Sequence, residues 1–501
     1  MRYTDRQSTA PISKAMEAYA GDGALAFHTP GHKQGLGAHP LLKNLITASG
    51  LRQDVSLMEE LDDLHEPAGC IKEAQELAAD LWGARESLFV INGTTGAIHA
   101  MLAGTLSPGD KVLVPRNAHR SIMGGIILAG AVPVYIQPEL DSRLGIAMGL
   151  GIEAVRQAVT ANPDAKALIA VYPTYYGFCC DLGQIAEFVH AAGMLLLVDE
   201  AHGAHLRFGR ELPGQAIELG ADVAAQSTHK LLGSMTQTSM LHMGSDRVDA
   251  GRIRQAASLL QSTSPNQLLL ASLDIARLQM AQEGEKRLDR AVELSQWLRQ
   301  AINEISGLYC PGAEILGDGA VALDWTKITV NLAGLDISGQ EAELLLRHHW
   351  KVQCELSDPR NLLFIISMAD TKREANRLLQ VLRELADCHQ ENINHVQDML
   401  NMARMPVPVM HMNPRQAFFA KTRTVRLEQA IGCIGAETIA FYPPGIPVLC
   451  PGEEITEELV AYIRHYQSQG LRISGAADST LQTIRVCQAE CSESKIEAIE
   501  G

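Results

Sequence analysis

The stretch Gln226-Ser-Thr-His-Lys-Leu-Leu-Gly233 sets a lone lysine, Lys230, behind the hydroxyls of Ser227 and Thr228 and the imidazole of His229. Taken alone, such a lysine belongs on a solvated face. Two other stretches change its meaning. The run MLLLVDEAHGAH carries Asp199 at its apolar end, 31 residues before Lys230. A carboxylate at the C-terminal end of a parallel strand lies where α/β sheets bind ligands; capping a turn is the plainer role. The run INGTTGAIHAML places Gly93, Thr94, Thr95 and Gly96 between an apolar strand pattern and a helix pattern. Free N–H groups at that helix start, with two hydroxyls beside them, form a seat for a phosphate, or else a simple threonine cap. The motif is neither a P-loop nor a dinucleotide fingerprint. An acid, a phosphate seat and an amine can converge on one ligand. It has a ring nitrogen that wants a carboxylate, a phosphate, and an aldehyde that wants an amine. Pyridoxal 5'-phosphate has all three.

The elements that must position these groups are legible as an alternation. IKEAQELAADLWG puts Ile71, Ala74, Ala78 and Leu81 on one helical face and ends at Gly83. From there strands SLFVI, KVLVP, VPVYI, KALIAVYP and MLLLVDE alternate with helices TTGAIHAMLAGTL, HRSIMGGIILAGA, GIEAVRQAVTA and LGQIAEFVHAAG. Short apolar strands alternating with helices predict an α/β unit whose mostly parallel sheet is covered on both faces. After about residue 250 the pattern changes to long helices over QLLLASLDIARLQMAQEGEKRLDRAVELSQWLRQAINEI. Strands WTKITVNLAG and LLFIIS follow, with helices GQEAELLLRHHW and TKREANRLLQVLRELADCHQ. The expected division is an arm or linker over 1–70, a large cofactor-binding domain over 71–310 and a smaller α+β domain over 311–501.

Composition narrows the class. The chain has 501 residues, 46% hydrophobic and 20% charged, ordinary for a soluble globular protein. No apolar run reaches a membrane span, and the start lacks the order of a secretory signal, so a cytoplasmic location is expected. The ten cysteines include no CxxC pair, which favours reduced thiols over a metal or redox site. A net charge of −16 argues against a nucleic-acid partner and mildly favours a cationic small molecule.

Together DEAHGAH, QSTHK, HTPGHKQG, LDDLHEPAGCIKEAQ and YPPGIPVLCPGE resemble the bacterial ornithine/lysine/arginine decarboxylases, over about residues 5–460. The likeness is to their short subgroup without an N-terminal wing domain. The resemblance implies the pyridoxal-phosphate-dependent, aspartate-aminotransferase-like fold (fold type I) and a homodimer or larger assembly with shared sites. It implies that Lys230 is the Schiff-base lysine, that Asp199 faces the pyridine nitrogen, and that the His119 imidazole stacks on the ring with Ala201 beneath it. By its own sequence, His119 has a lesser alternative, a helix-start histidine satisfied by backbone. The resemblance further implies that Gly93, Thr94, Thr95 and Ser227 hold the phosphate and that His202 and His229 flank the site. His229 serves the phosphate or the substrate carboxylate and, like the freed Lys230, is placed to return a proton to Cα. Ser262 and Thr263 would reach a neighbour's phosphate, although Asn266-Gln267 stands where the family usually has Ser-Tyr.

The implied reaction is decarboxylation of a basic amino acid, arginine ahead of lysine and ornithine, to the di- or polyamine precursor and carbon dioxide. The distal cation needs a carboxylate. Glu437, in the family's C-terminal acid position, is the first expectation. Asp54 and the pair Asp62–Asp63 follow, more in keeping with caps, and Cys450 either tunes the pocket or packs inertly. An aminotransferase on the same fold is the alternative, with Arg360 as its carboxylate grip. A non-catalytic cofactor-binding protein is the second, disfavoured by the retention of Lys230 and Asp199.

Overall fold

A computed structural model describes residues 5–55, 57–389, 406, 408–442, 445–468 and 471–488. Its centre is a seven-stranded sheet of β1 (Glu86–Val90), β2 (Lys111–Pro115), β3 (Val132–Ile136), β4 (Ala167–Val171), β5 (Leu195–Asp199), β6 (Val223–Gln226) and β7 (Ser239–Met243). The order is β1-β7-β6-β5-β4-β2-β3. β7 runs antiparallel to both neighbours, and every other pairing is parallel. β1 through β5 coincide with the alternating strand patterns in the sequence. β7 was hidden in an uncharged stretch, because its five residues include Ser239 and His242. Both are fully buried, and polar residues inside a short apolar run mask its period.

The central strands read as continuous apolar runs because both faces are covered. Successive side chains leave on opposite sides. Val112, Val114, Ile169, Leu197, Val223 and Leu241 pack under helices α3 (Gly93–Thr105), α4 (Arg120–Ala129) and α7 (Ala250–Leu260). Leu113, Leu168, Ala170, Leu196 and Val198 pack under α5 (Ile152–Ala161) and α6 (Leu182–Ala191). Near β1 a third core joins Phe89 and Met240 to α1 (Pro11–Gly21), α2 (Cys70–Trp82) and α8 (Gln267–Gln279). α2 ends at Gly83, whose φ of 69° closes the last turn through bonds to Ala79 and Asp80, a left-handed cap that glycine adopts at little cost.

The long helical stretch after residue 266 is α8, one π-helical turn at Met280–Gly284, and α9 (Glu285–Asn303). α9 leads to an antiparallel sheet of Lys327–Asn331, Asn361–Ile365 and Leu356–Ser357 with its own apolar core. A further core gathers strands Ile439–Tyr442 and Ile446–Leu449 with helix Glu457–Ser468. That last region is fastened to the central sheet by Arg116, which directly follows β2. Its guanidinium donates to both oxygens of Glu453, at 2.5 and 3.1 Å, and to the Val448 carbonyl at 2.9 Å.

Candidate active site

Three strand ends and two helix starts converge at the C-terminal edge of the sheet. β5 ends in Asp199, β6 runs into Ser227 and the short helix Thr228–Leu231, and β1 runs through Asn92 into α3. A cavity of about 1300 Å3 opens there. Gly93, Thr94, Thr95, His119, Asp199, Ala201, His202, Ser227, His229 and Lys230 all line it. The structure thus brings together ten of the residues singled out from sequence.

Each is held for a local reason. Asp199 is buried, and its Oδ1 accepts only the Ala201 N–H at 3.1 Å among the described contacts. Burial raises its carboxyl pKa, and the Lys230 charge opposes that shift. Burial lowers Lys230 from the ordinary lysine value against the pull of Asp199 and Glu355, which favours the neutral nucleophilic amine. Lys230 Nζ lies 2.9 Å from His202 Nε2. The His202 ring packs on Tyr175, with centroids 4.3 Å apart.

The phosphate seat is open. The residue before α3 is Asn92, whose side chain makes no cap bond; the Gly93 N–H goes to the Gln237 carbonyl at 2.8 Å, which leaves the Thr94 and Thr95 N–H groups as the donors at the start of a 13-residue helix. Gly93 has φ +75°, a backbone conformation that turns the strand into the helix. Thr94 Oγ1 bonds Ser227 Oγ and, at 3.1 Å, Ser239 Oγ, fixing two hydroxyls behind that helix start. Thr95 points outward into the cavity.

The histidines divide their nitrogens. His119 is the N-cap of α4, with Nδ1 accepting from Ser121 N at 3.2 Å, while its ring also lines the cavity. The two sequence readings of His119 are therefore compatible. Burial, then the charges of Lys230 and Arg120, push it down to about 4, so the ring is neutral. His229 Nδ1 donates to the Thr238 carbonyl at 2.7 Å, leaving Nε2 as its exchangeable nitrogen.

Several expected residues lie elsewhere. Glu437 is not at the cavity. Its two oxygens accept the backbone N–H groups of Ala477 and Arg485, at 2.9 and 3.0 Å, which makes it a structural acceptor within the last region. Asp54 is also outside, paired with His32 at 3.1 Å. Asp62 is a cap. Burial raises its carboxyl, but N–H donors from Ala68, Asp63 and Gly69 outweigh this and hold it low. Cys450 is buried beside Tyr135, Arg116 and Glu453, away from this cavity, and packs as a small hydrophobe. Ser262 and Thr263 are exposed and do not reach the cavity of their own chain.

The structure adds groups that sequence reasoning missed. Glu139, Asp141, Glu355 and Asp358 bring four carboxylates to the cavity wall. Tyr175 Oη donates to Glu355 at 2.7 Å. Lys327 lies buried behind His202. None of these carries a local motif; only the fold assembles them.

A lysine amine, an acid at the end of a parallel strand and an anion seat lie together at one sheet edge, in an enzyme of fold type I. The chain belongs to the Orn/Lys/Arg decarboxylase family. Residues 10–374 match the family's major domain and residues 396–490 its C-terminal domain. It is 45% identical to an arginine decarboxylase of Halalkalibacterium halodurans, with 96% of this chain and 98% of that protein covered. An arginine decarboxylase of Bacillus subtilis is 42% identical, with 97% and 99% covered. The Francisella novicida lysine decarboxylase LdcF shares the fold at a TM-score of 0.83 and 23% identity, covering 96% of this chain and 82% of that one. Among the described residues no helix is long and apolar enough to cross a membrane.

Proposed function

We propose that the protein is a pyridoxal-phosphate-dependent decarboxylase of basic amino acids, with arginine as first substrate. The observation that carries this reading is the joint placement of Lys230, Asp199 and the open start of α3 on one acid-lined cavity. The residues fit the cofactor. Lys230 offers an amine that faces the cavity and is held below the ordinary lysine value, Asp199 a buried carboxylate with spare acceptor capacity, and Thr94, Thr95 and Ser227 a set of donors for a phosphate. When bound, pyridoxal phosphate supplies the electron sink for the charge left at Cα as the carboxylate departs.

The protein's own groups do the rest. Lys230 would hold the cofactor and yield it to the substrate amine, Asp199 would keep the pyridine nitrogen protonated, and Ala201 and His119, both lining the cavity, would confine the ring, the neutral His119 adding no charge there. The net reaction breaks the bond from Cα to the carboxylate, forms a Cα–H bond and consumes one proton. His229 Nε2 or the freed Lys230 amine delivers that proton. The distal ammonium or guanidinium goes to the cavity acids in place of Glu437. Glu355 is first choice because the Tyr175 hydroxyl orients it and its charge already acts on Lys230. Asp358 is committed to Tyr176 and Asn361.

The relatives' names support arginine. The exposed Ser262 and Thr263 fit a homodimer in which each chain completes its neighbour's phosphate site, and a cysteine set with no CxxC pair fits a cytoplasmic setting. One observation favours aminotransfer instead. Arg360 lines the cavity, and its buried Nη2 has no protein partner among the described residues. Both readings are tested by incubating the purified protein with carboxyl-labelled arginine, lysine and ornithine side by side. Release of labelled carbon dioxide, fastest from arginine, is expected. Label retained in a keto acid, with the amino group passed to an acceptor, would overturn decarboxylation.

A further inference from the structure

Asn92 and Gly96 bracket the first turn of α3, and neither lines the cavity. Asparagine is among the best N-cap residues, yet the Asn92 side chain makes no cap bond. Its Nδ2 donates instead to the carbonyl of Leu260, the last residue of α7, at 3.1 Å. Gly96 makes that course possible. A Cβ at residue 96 would overlap Oδ1 and Cγ of Asn92 and stand 2.5 Å from its Nδ2. Glycine inside a helix is less stable than alanine. Helix α3 therefore gives up stability at Gly96, and what it gains is room for this one amide.

The far end of the contact gives it meaning. Leu260 leads directly into residues 261–266, the loop that carries Ser262 and Thr263. The tie is repeated one residue on. Gln261 Oε1 accepts the Ile91 N–H at 3.0 Å, and Gln261 Nε2 donates to the Phe89 carbonyl at 3.5 Å. The residues just before the phosphate seat and the first residues of the loop are thus joined side chain to backbone in both directions. On its other side the loop meets His65. The His65 Nε2 donates to the Ser262 carbonyl at 2.8 Å, and its Nδ1 lies 2.8 Å from Ser258 Oγ. These bonds fix where Ser262 and Thr263 stand, although both are exposed and neither reaches the cavity of its own chain. Firm placement of hydroxyls that serve no site in their own chain suits a site in a second copy.

We infer that Asn92 is a positioning residue, seated by Gly96: it ties the phosphate seat of one chain to the loop with which that chain completes its neighbour's seat. The inference rests on the homodimer reading, in which Ser262 and Thr263 meet the partner's phosphate, and names what holds them ready. Asn92 touches neither cofactor nor substrate and acts through the loop.

The test is equilibrium binding of two probes to the cofactor-free protein, pyridoxal 5'-phosphate and pyridoxal, which lacks the phosphate. Asn92→Ala is expected to weaken the phosphorylated probe about three- to tenfold, the scale of one hydrogen bond, and to leave pyridoxal at wild type. Gly96→Ala should reproduce that loss on its own and add nothing to Asn92→Ala, because its Cβ then has no amide to displace. Ser262→Ala combined with Thr263→Ala should weaken the phosphorylated probe alone, and adding Asn92→Ala should cost nothing more. Wild-type phosphate binding in Asn92→Ala, an equal loss for pyridoxal, or a loss additive with the loop variant would overturn the inference. If Gly96→Ala does not fold, Asn92→Ala, a change at an exposed side chain, carries the test. A loop variant that binds both probes as wild type would sink the homodimer reading and the inference with it. A loss there beside wild-type binding in Asn92→Ala would sink the inference alone.

Discussion

Two regions of this molecule bury charge, and they do so differently. Behind β2, Arg116 and Glu453 are both almost wholly inaccessible and meet in a two-toothed contact, with the Val448 carbonyl and the Cys450 N–H taking up further capacity. Elsewhere along the same C-terminal edge of the sheet, Asp199 has one backbone donor, Lys230 has one imidazole, and Arg360 has an unpartnered nitrogen. The first arrangement is turned inward: Arg116 Nε also lacks a partner among the described residues, but it does not line the large cavity. Its charges are committed to each other, and it fastens the last region to the sheet. The second is open, and its unmet capacity faces a cavity. Neither buried charge nor a single unmet donor marks a functional site; unmet capacity that converges on a cavity does.

Breaking the open region should cost activity and little stability. Lys230→Ala is expected to abolish turnover and the reducible chromophore while the thermal midpoint of the apoprotein stays near wild type. Parallel assay and thermal melts check this, and a collapse of the fold would mean that Lys230 is structural. Asp199→Asn keeps the shape and loses the charge. It should lower kcat on the order of 10²-fold, the scale of one preorganised electrostatic contact, measured at saturating cofactor. Breaking the inward-turned region should do the reverse. Glu453→Ala strands the Arg116 guanidinium and should cost about 3–5 kcal/mol of stability by denaturant titration, with turnover per folded site retained.

The smallest effect is a slope. His242 lies behind the site, sandwiched against Trp82 at 5.5 Å and bonded to Ser87 at 2.7 Å. Burial pushes it down to about 3, below its unfolded value near 6.5. The folded protein then binds fewer protons than the unfolded chain in between. The stability that His242 supports is complete above pH 6.5 and drains as pH falls toward 3, by about 1.4 kcal/mol per unit. His242→Gln should flatten that part of a stability–pH curve; an unchanged slope would place the loss elsewhere.

The same contrast explains what the sequence showed. Asp199, Lys230 and the start of α3 were legible because each sits at a fixed offset from a strongly patterned strand, and strand ends share one sheet edge. The strands over 111–115 and 132–136 were read residue for residue because each is a compact apolar run, the first buried on both faces and the second half-buried at the sheet's edge. β7 was not, since Ser239 and His242 find their partners across the sheet. Glu355, Arg360 and Lys327 reach the site from the small sheet, more than 120 residues after Asp199, and no local spacing encodes that approach. Glu437 misled for the converse reason. Its acid position suggested a ligand contact, but two backbone N–H groups already occupy it.

The central claim is that one amine, Lys230, carries the cofactor. Borohydride reduction of the cofactor-loaded wild-type protein, followed by proteolysis and mass mapping of the modified peptide, tests it most directly. The account predicts a single pyridoxyl mark on Lys230 and none on Lys327, whose amine lies on the far side of His202. A mark on Lys327, or on any lysine outside the cavity, would contradict it.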